Sequence, residues 1–183
     1  MSTDAPQTSE LSGRLEALST SELGEVAWDS DSLLAVLRAD SSGPRARLYA
    51  CEALLRRDAE KFMRVLGAPF VAGLYASALR DGTTPALNAW GFLGAGDVGP
   101  LGRHLVACGD DAVRALAPLL DDKRSAGLYG GSKESKLGNS DNARVCDFAA
   151  FFISEARRLP FQFHRDDFAR RDAEIERLKD SLR

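Results

Sequence analysis

Few residues in this chain have the type and spacing to do chemistry, and most of those arrangements fail on context. The stretch "WGFLGAGDVGPLG" (90–102) contains a literal G-x-G-x-x-G at Gly94, Gly96 and Gly99. In a dinucleotide site such glycines let backbone N–H groups approach a pyrophosphate. That requires a strand before them, a helix opening within them and an acidic residue roughly twenty positions on. Here "TTPALNAWGFL" is not β-branched, the sequence upstream has helical period, and no strand pattern precedes Asp121. Pro100 and Gly102 also stand where the phosphate-binding helix should open. The stretch reads as a loop with tight helix packing, and no cofactor is expected.

Nucleophiles and metal ligands are equally sparse. There are three cysteines, Cys51, Cys108 and Cys146, and two histidines, His104 and His164. A Cys–His pair such as Cys146 with His164 is the form nucleophilic catalysis would take, since distance along the chain does not bar proximity in the fold. Against it, Cys146 lies within "RVCDFAAFF", whose small and aromatic residues read as core, and a thiol in apolar surroundings is inert. His104, in "GRHLVAC", reads as a partly buried or surface helix residue. An odd number of cysteines without C-x-x-C predicts reduced, buried thiols of a cytosolic protein. Aspartate pairs occur at 110–111, 121–122 and 166–167, where helices start or end, and none has the alternating ligand spacing of a calcium loop. "GGSKESKLGNS" lacks the G-x-x-x-x-G-K-[ST] of a P-loop. No catalytic, cofactor-binding or metal site is expected.

These residues must be positioned by a chain of 183 residues with an ordinary globular composition: 44% hydrophobic, 28% charged, net charge −3. The acidic balance argues against nucleic acid as a partner, because such binding rests on positive charge. The excess of 19 Arg over 5 Lys reads as the codon usage of a GC-rich genome rather than as a set of anion ligands. No run of about eighteen apolar residues is present, so no membrane span is predicted. "MSTDAPQTSE" shows neither a basic nor an apolar leader region. The expected location is the cytoplasm.

Apolar periodicity is helical almost throughout. Residues 1–10 are polar and read as a disordered N-terminus, and 11–183 as a single α-helical domain. Leu11, Leu15 and Leu18 share a face. Ser30 or Asp31 caps a segment with Leu33, Leu34 and Leu37. Pro44 opens a helix whose stripe is Leu48, Cys51, Leu54 and Leu55. "AEKFMRVLG" and "PFVAGLYASALRDG" follow, each ending near glycine, then a short helix in "TPALNAWGFLG". "GDDAVRALAPLLDD" is predicted to be helical with Asp110 or Asp111 as N-cap, as are "ARVCDFAAFFISEARRL" and "DFARRDAEIERLKDSL", the last capped by Asp166 or Asp167. The fold class is therefore all-α, with short antiparallel helix pairs stacked in a line.

One segment breaks the pattern. Residues 121–142, "DDKRSAGLYGGSKESKLGNSDN", form a long, polar, glycine-rich loop, and loops of this length inside a domain are either functional or disordered. Leu128 and Tyr129 are its candidate anchors into a partner. Lys133, Glu134 and Lys136 would supply a charged rim, with Asn139 beside them. The alternative is that Tyr129 packs back onto its own domain and the rest is solvated.

"GDDAVRALAPLLDD", the loop and "NARVCDFAAFFI" together resemble one HEAT-like repeat of the bacterial kind, and "PRARLYACEALLRRD" resembles a further second helix of such a repeat. The likeness covers about 110–156 well and 44–80 loosely. It implies a HEAT-like repeat or irregular α-solenoid in which Arg144 and Asp147 open a helix and bond along the stack. It also implies a non-catalytic protein–protein interaction module, such as a small bacterial adaptor or an immunity protein that blocks a toxin. A small enzyme or nucleic-acid-processing protein on the same scaffold is the alternative. Acidic residues near the N-terminus and arginines across 157–183 suit a charged protein partner, or contact between the chain's own ends.

Overall fold

The computed structural model describes residues 4–19, 22–24, 28–92, 97–131 and 133–183. Among them, ten α-helices and no strand are found, with helix over 69% of the chain. The all-α expectation is met. The helices are α1 (Asp4–Ala17), α2 (Ser30–Arg38), α3 (Pro44–Arg57), α4 (Ala59–Leu66), α5 (Ala68–Arg80), α6 (Pro100–Ala107), α7 (Asp110–Leu116), α8 (Lys133–Ser140), α9 (Val145–Arg157) and α10 (Phe168–Ser181). Short 3-10 turns occupy Glu22–Gly24, Leu87–Ala89 and Ala117–Asp121. No single described helix is long and apolar enough to cross a membrane.

Local chemistry explains most boundaries. The side chains of Asp29, Asp58 and Asp167 accept the N–H groups of Ser32, Lys61 and Arg170, satisfying donors that the first helical turn leaves open. Asp29 caps α2 in place of the predicted Ser30 or Asp31. Pro44 sits in the first turn of α3 as predicted. Gly67, at φ +84°, is the joint at which α4 and α5 bend by 94°. Gly109, not Asp110 or Asp111, precedes α7, and the two aspartates pair instead with Arg157 and Arg114.

The odd-numbered helices contact one another in chain order, α1 on α3, α3 on α5, α5 on α7 and α7 on α9, and α10 packs on α9. At the centre is α9, in which every residue from Val145 to Ser154 is buried. A helix apolar nearly all round must be enclosed on all sides. Trp90 meets Tyr75 edge-on at 6.1 Å and Phe152 at 6.0 Å. Phe92 packs on Phe148, Phe151 and Phe163.

Three further sequence expectations need correction. The helix predicted in "TPALNAWGFLG" is only the 3-10 turn at Leu87–Ala89, because the chain there pairs with itself. Phe92 N–H reaches the Asp97 carbonyl at 2.8 Å, and Gly99 N–H the Trp90 carbonyl at 2.9 Å. The loop expected over 121–142 contains α8, and its flanks are tied down by long-range hydrogen bonds. Helix α1 also begins at Asp4, inside the segment expected to be frayed.

The glycine-rich stretch is a packing device where it is described; Gly94 and Gly96 lie outside the described residues. A Cβ on Gly99 would stand 2.5 Å from the Ala89 carbonyl oxygen, and one on Gly102 2.7 Å from that of Trp90 and 2.6 Å from the Phe152 ring. Backbone crosses helix here at a distance only glycine permits.

Candidate functional site

The segment leading into α8 is held by three sets of contacts. At its base, Ala126 N–H meets the Ala143 carbonyl at 3.0 Å and Val145 N–H the Arg124 carbonyl at 2.9 Å. Further out, Leu87 N–H meets the Leu128 carbonyl at 2.9 Å. Two asparagines then act as pincers, each using a side-chain amide as a peptide group would. Asn88 accepts from Gly130 N–H at 2.7 Å and donates to the Gly130 carbonyl at 3.1 Å. Asn139 accepts from Tyr129 N–H at 2.7 Å and donates to the Tyr129 carbonyl at 3.0 Å. Buried backbone groups need such partners, and here the side chains of a neighbouring turn and of α8 supply them.

The predicted partner-binding residues separate accordingly. Tyr129 turns inward: it is 5% exposed, its hydroxyl donates to the Gly91 carbonyl at 3.1 Å, and its ring lies beside Phe148. Asn139 is its clamp. Neither faces outward as the docking expectation required. Leu128 does, with 65% of its surface exposed. Lys136 is exposed on α8. The side chains of Lys133 and Glu134 lie outside the described residues.

Beside the clamped segment lies a cavity of about 440 Å³, walled by Pro85, Asn88, Pro100, Gly130 and Arg56. Arg56 leads from it to a buried cluster that the sequence reading did not single out. Glu52 of α3 is wholly buried and accepts three hydrogen bonds: from Arg56 Nε at 2.7 Å, Tyr75 hydroxyl at 2.6 Å and His104 Nδ1 at 2.8 Å. Burial pushes the Glu52 carboxyl up, but the His104 bond and charge, with Tyr75 and Arg56, outweigh it and leave it below its ordinary value. Burial, then the Glu52 charge, raise the Tyr75 phenol far above its own. Glu52 is thus an ionised carboxylate with all its close donors in place.

All three thiols are buried, which favours their unreactive protonated form. Burial raises Cys51 strongly, Cys108 to about 12 and Cys146 to about 11. No Cys146–His164 pair forms: Cys146 sulfur has Asp147 as its near acceptor at 3.9 Å, and His164 faces Glu174. No group of three or more candidate metal ligands occurs among the described residues.

At the start of α9, Asp147 accepts from Arg144 N–H and from the guanidinium groups of Arg144 at 2.9 Å and Arg171 at 3.4 Å. Arg171, 1% exposed, stacks against Phe163 and Phe168 and donates to the carbonyls of Asp141, His164 and Arg165. Asp172 completes the group with Lys123 at 2.6 Å and Arg144 at 2.8 Å. This network docks α10. Among the described residues, arginines of 157–183 pair with acids such as Asp110, Asp141 and Asp147, and none pairs with the acidic N-terminal segment. A second cleft of about 470 Å³, between Leu159–Gln162 and α10, is bordered by the Glu174–Arg177 ion pair.

A scan against protein-family models finds no match, and comparisons with curated proteins and with solved structures find none either.

Proposed function

We propose that this chain is a protein–protein interaction module, a small adaptor or inhibitor built as a HEAT-like or irregular helical stack, with Leu128 as its leading contact. The observation that carries the reading is the exposure of Leu128 on a fixed backbone. A large apolar side chain stands in water while the carbonyl of its own residue and both peptide groups of the next two residues are hydrogen-bonded to other parts of the fold. Association loses less conformational entropy when the contacting segment is ordered beforehand. A single exposed leucine is ordinary on a protein surface, but one held on a clamped projection is placed to fill a partner's apolar pocket. Lys136, exposed on α8, belongs to the polar rim of the same projection. The contact of successive odd-numbered helices supports the stacked-repeat arrangement.

The test is affinity capture from the native host with the full chain and with Leu128→Asp, read by quantitative mass spectrometry. A partner enriched by the first and lost with the second, while thermal stability is unchanged, supports the reading. An identical partner set with both proteins removes Leu128 from it.

A further inference from the structure

His104 has a second property, separate from docking at Leu128. Its Nδ1 is bonded to Glu52, and because the ionised carboxylate can only accept, Nδ1 is the donor, so the neutral form of the ring has its lone pair on Nε2. Among the described residues Nε2 has no protein hydrogen-bond partner. Nor is it one of the buried polar atoms that lack one, and the side chain is 17% exposed, so Nε2 reaches solvent. Behind it, the carboxylate is fixed by donors from two other side chains: Tyr75 on the oxygen shared with His104, Arg56 on the other. A buried charge with this many partners adds little net stability over an apolar replacement. It does fix the tautomer and direction of one solvent-facing imidazole.

We infer that His104 is a nucleophilic acyl-acceptor site for activated esters, with Glu52 and Tyr75 as positioning residues. The Nε2 lone pair forms a bond to the acyl carbon, and the carbon–oxygen bond to the leaving group breaks, its electron pair departing with the alcohol oxygen as an alkoxide or phenolate. The ring then bears an acyl group on Nε2 and a proton on Nδ1, hence a positive charge, which the Glu52 carboxylate 2.8 Å away stabilises. Water adds to the acyl carbon, gives up its proton to solvent, and releases the carboxylic acid as Nε2 recovers its lone pair. No oxidant or metal enters the balance.

His164 serves as an internal reference, because it is exposed to a similar extent, 18%, but has its Nε2 directed at Glu174. The full chain is treated with diethyl pyrocarbonate, and carbethoxylation is followed at both histidines by peptide mass spectrometry. His104 should react at least tenfold faster than His164. With 4-nitrophenyl acetate, His104→Gln should remove the protein-dependent release of nitrophenolate, and His164→Gln should leave it. Tyr75→Phe, which keeps the ring and removes one donor to Glu52, should slow both reactions several-fold without loss of helical signal. Equal modification of the two histidines, or nitrophenolate release unchanged in His104→Gln, overturns the inference.

Discussion

Asn88 and Gly130, forty-two positions apart, exchange two hydrogen bonds through one side-chain amide, at 2.7 and 3.1 Å. The asparagine does the work of a strand residue in a protein with no described strand. It holds the projection that carries Leu128 against the turn before α6.

That clamp can be removed without touching the projection itself. Asn88→Ala leaves Gly130 N–H without its side-chain acceptor, while the Gly130 carbonyl keeps the Ser135 hydroxyl at 2.7 Å. Asn139→Ala removes the side-chain partner of both the N–H and the carbonyl of Tyr129, whose surroundings are more buried. Each loss is expected to cost about 1–3 kcal/mol, the larger value at Asn139, where water has less access. Chemical denaturation should report the loss. Hydrogen exchange at 127–131 should rise in both variants while α5 and α9 stay protected. Uniform exchange changes across the chain would show that the clamp is not local.

The Glu52 cluster makes stability depend on pH in a definite direction. A folded-state carboxyl held below its ordinary value of 4.5 contributes stability above that value. This contribution is lost as pH falls below 4.5 and through the lower folded-state value. Glu52→Gln removes the charge but leaves His104, Arg56 and Tyr75 facing a neutral amide, so it should destabilise at pH 7 by about 3–5 kcal/mol, the usual cost of breaking a buried ion pair. The variant should also lose part of the acid sensitivity. Urea midpoints measured between pH 3 and 7 check both, and parallel curves for the two proteins would assign the acid response elsewhere.

Three thiols, all buried and with raised pKa values, should stay silent in the folded protein. Ellman's reagent is expected to label well under a tenth of an equivalent in minutes at pH 8, and all three after denaturation, since only thiolate reacts. Rapid native labelling of Cys146 would restore the nucleophile reading that its burial removes.

The parts of this structure that the sequence made legible are those decided locally. Pro44 opening α3, the stripe of Leu48, Cys51 and Leu55, glycine ending α4, and Asp167 capping α10 follow from backbone geometry and apolar period. What was missed depends on residues far away in the chain. Glu52 lies at i+4 from Leu48 and at i−3 from Leu55, so a carboxylate sat inside an apolar face, and that was the available signal. Arg56 lies one turn on in the same helix, but Tyr75 and His104 come from α5 and α6, which no local pattern predicts. Helix α8, "KESKLGNS", has no apolar stripe at all; the described contacts that fix it are polar, through Ser135 and Asn139. Tyr129 was legible as an anchor, and the direction in which it anchors was not.

Gly102 tests whether the glycine-rich stretch is packing, as argued, or a ligand cradle. Its ideal Cβ would lie 2.6 Å from a Phe152 ring carbon, 2.7 Å from the Trp90 carbonyl oxygen and 2.9 Å from a Val98 methyl. Gly102 sits inside α6, where alanine is the better helix former by about 0.8–1.0 kcal/mol. An exposed, unhindered glycine there would therefore be stabilised by Gly102→Ala. Overpacking acts in the opposite sense and is larger, about 1–3 kcal/mol, because backbone and a fully buried ring must both move. The net expectation is destabilisation by about 1–2 kcal/mol, with a near-ultraviolet change from Trp90, whose environment is displaced. A second variant separates contact from backbone. Combining Gly102→Ala with Phe152→Leu relieves the ring contact but not the carbonyl one, so it should recover only part of the loss beyond the cost of Phe152→Leu alone. If Gly102→Ala raises the melting temperature instead, the helix and the 89–91 backbone are not in contact as described, and the packing role of this stretch fails.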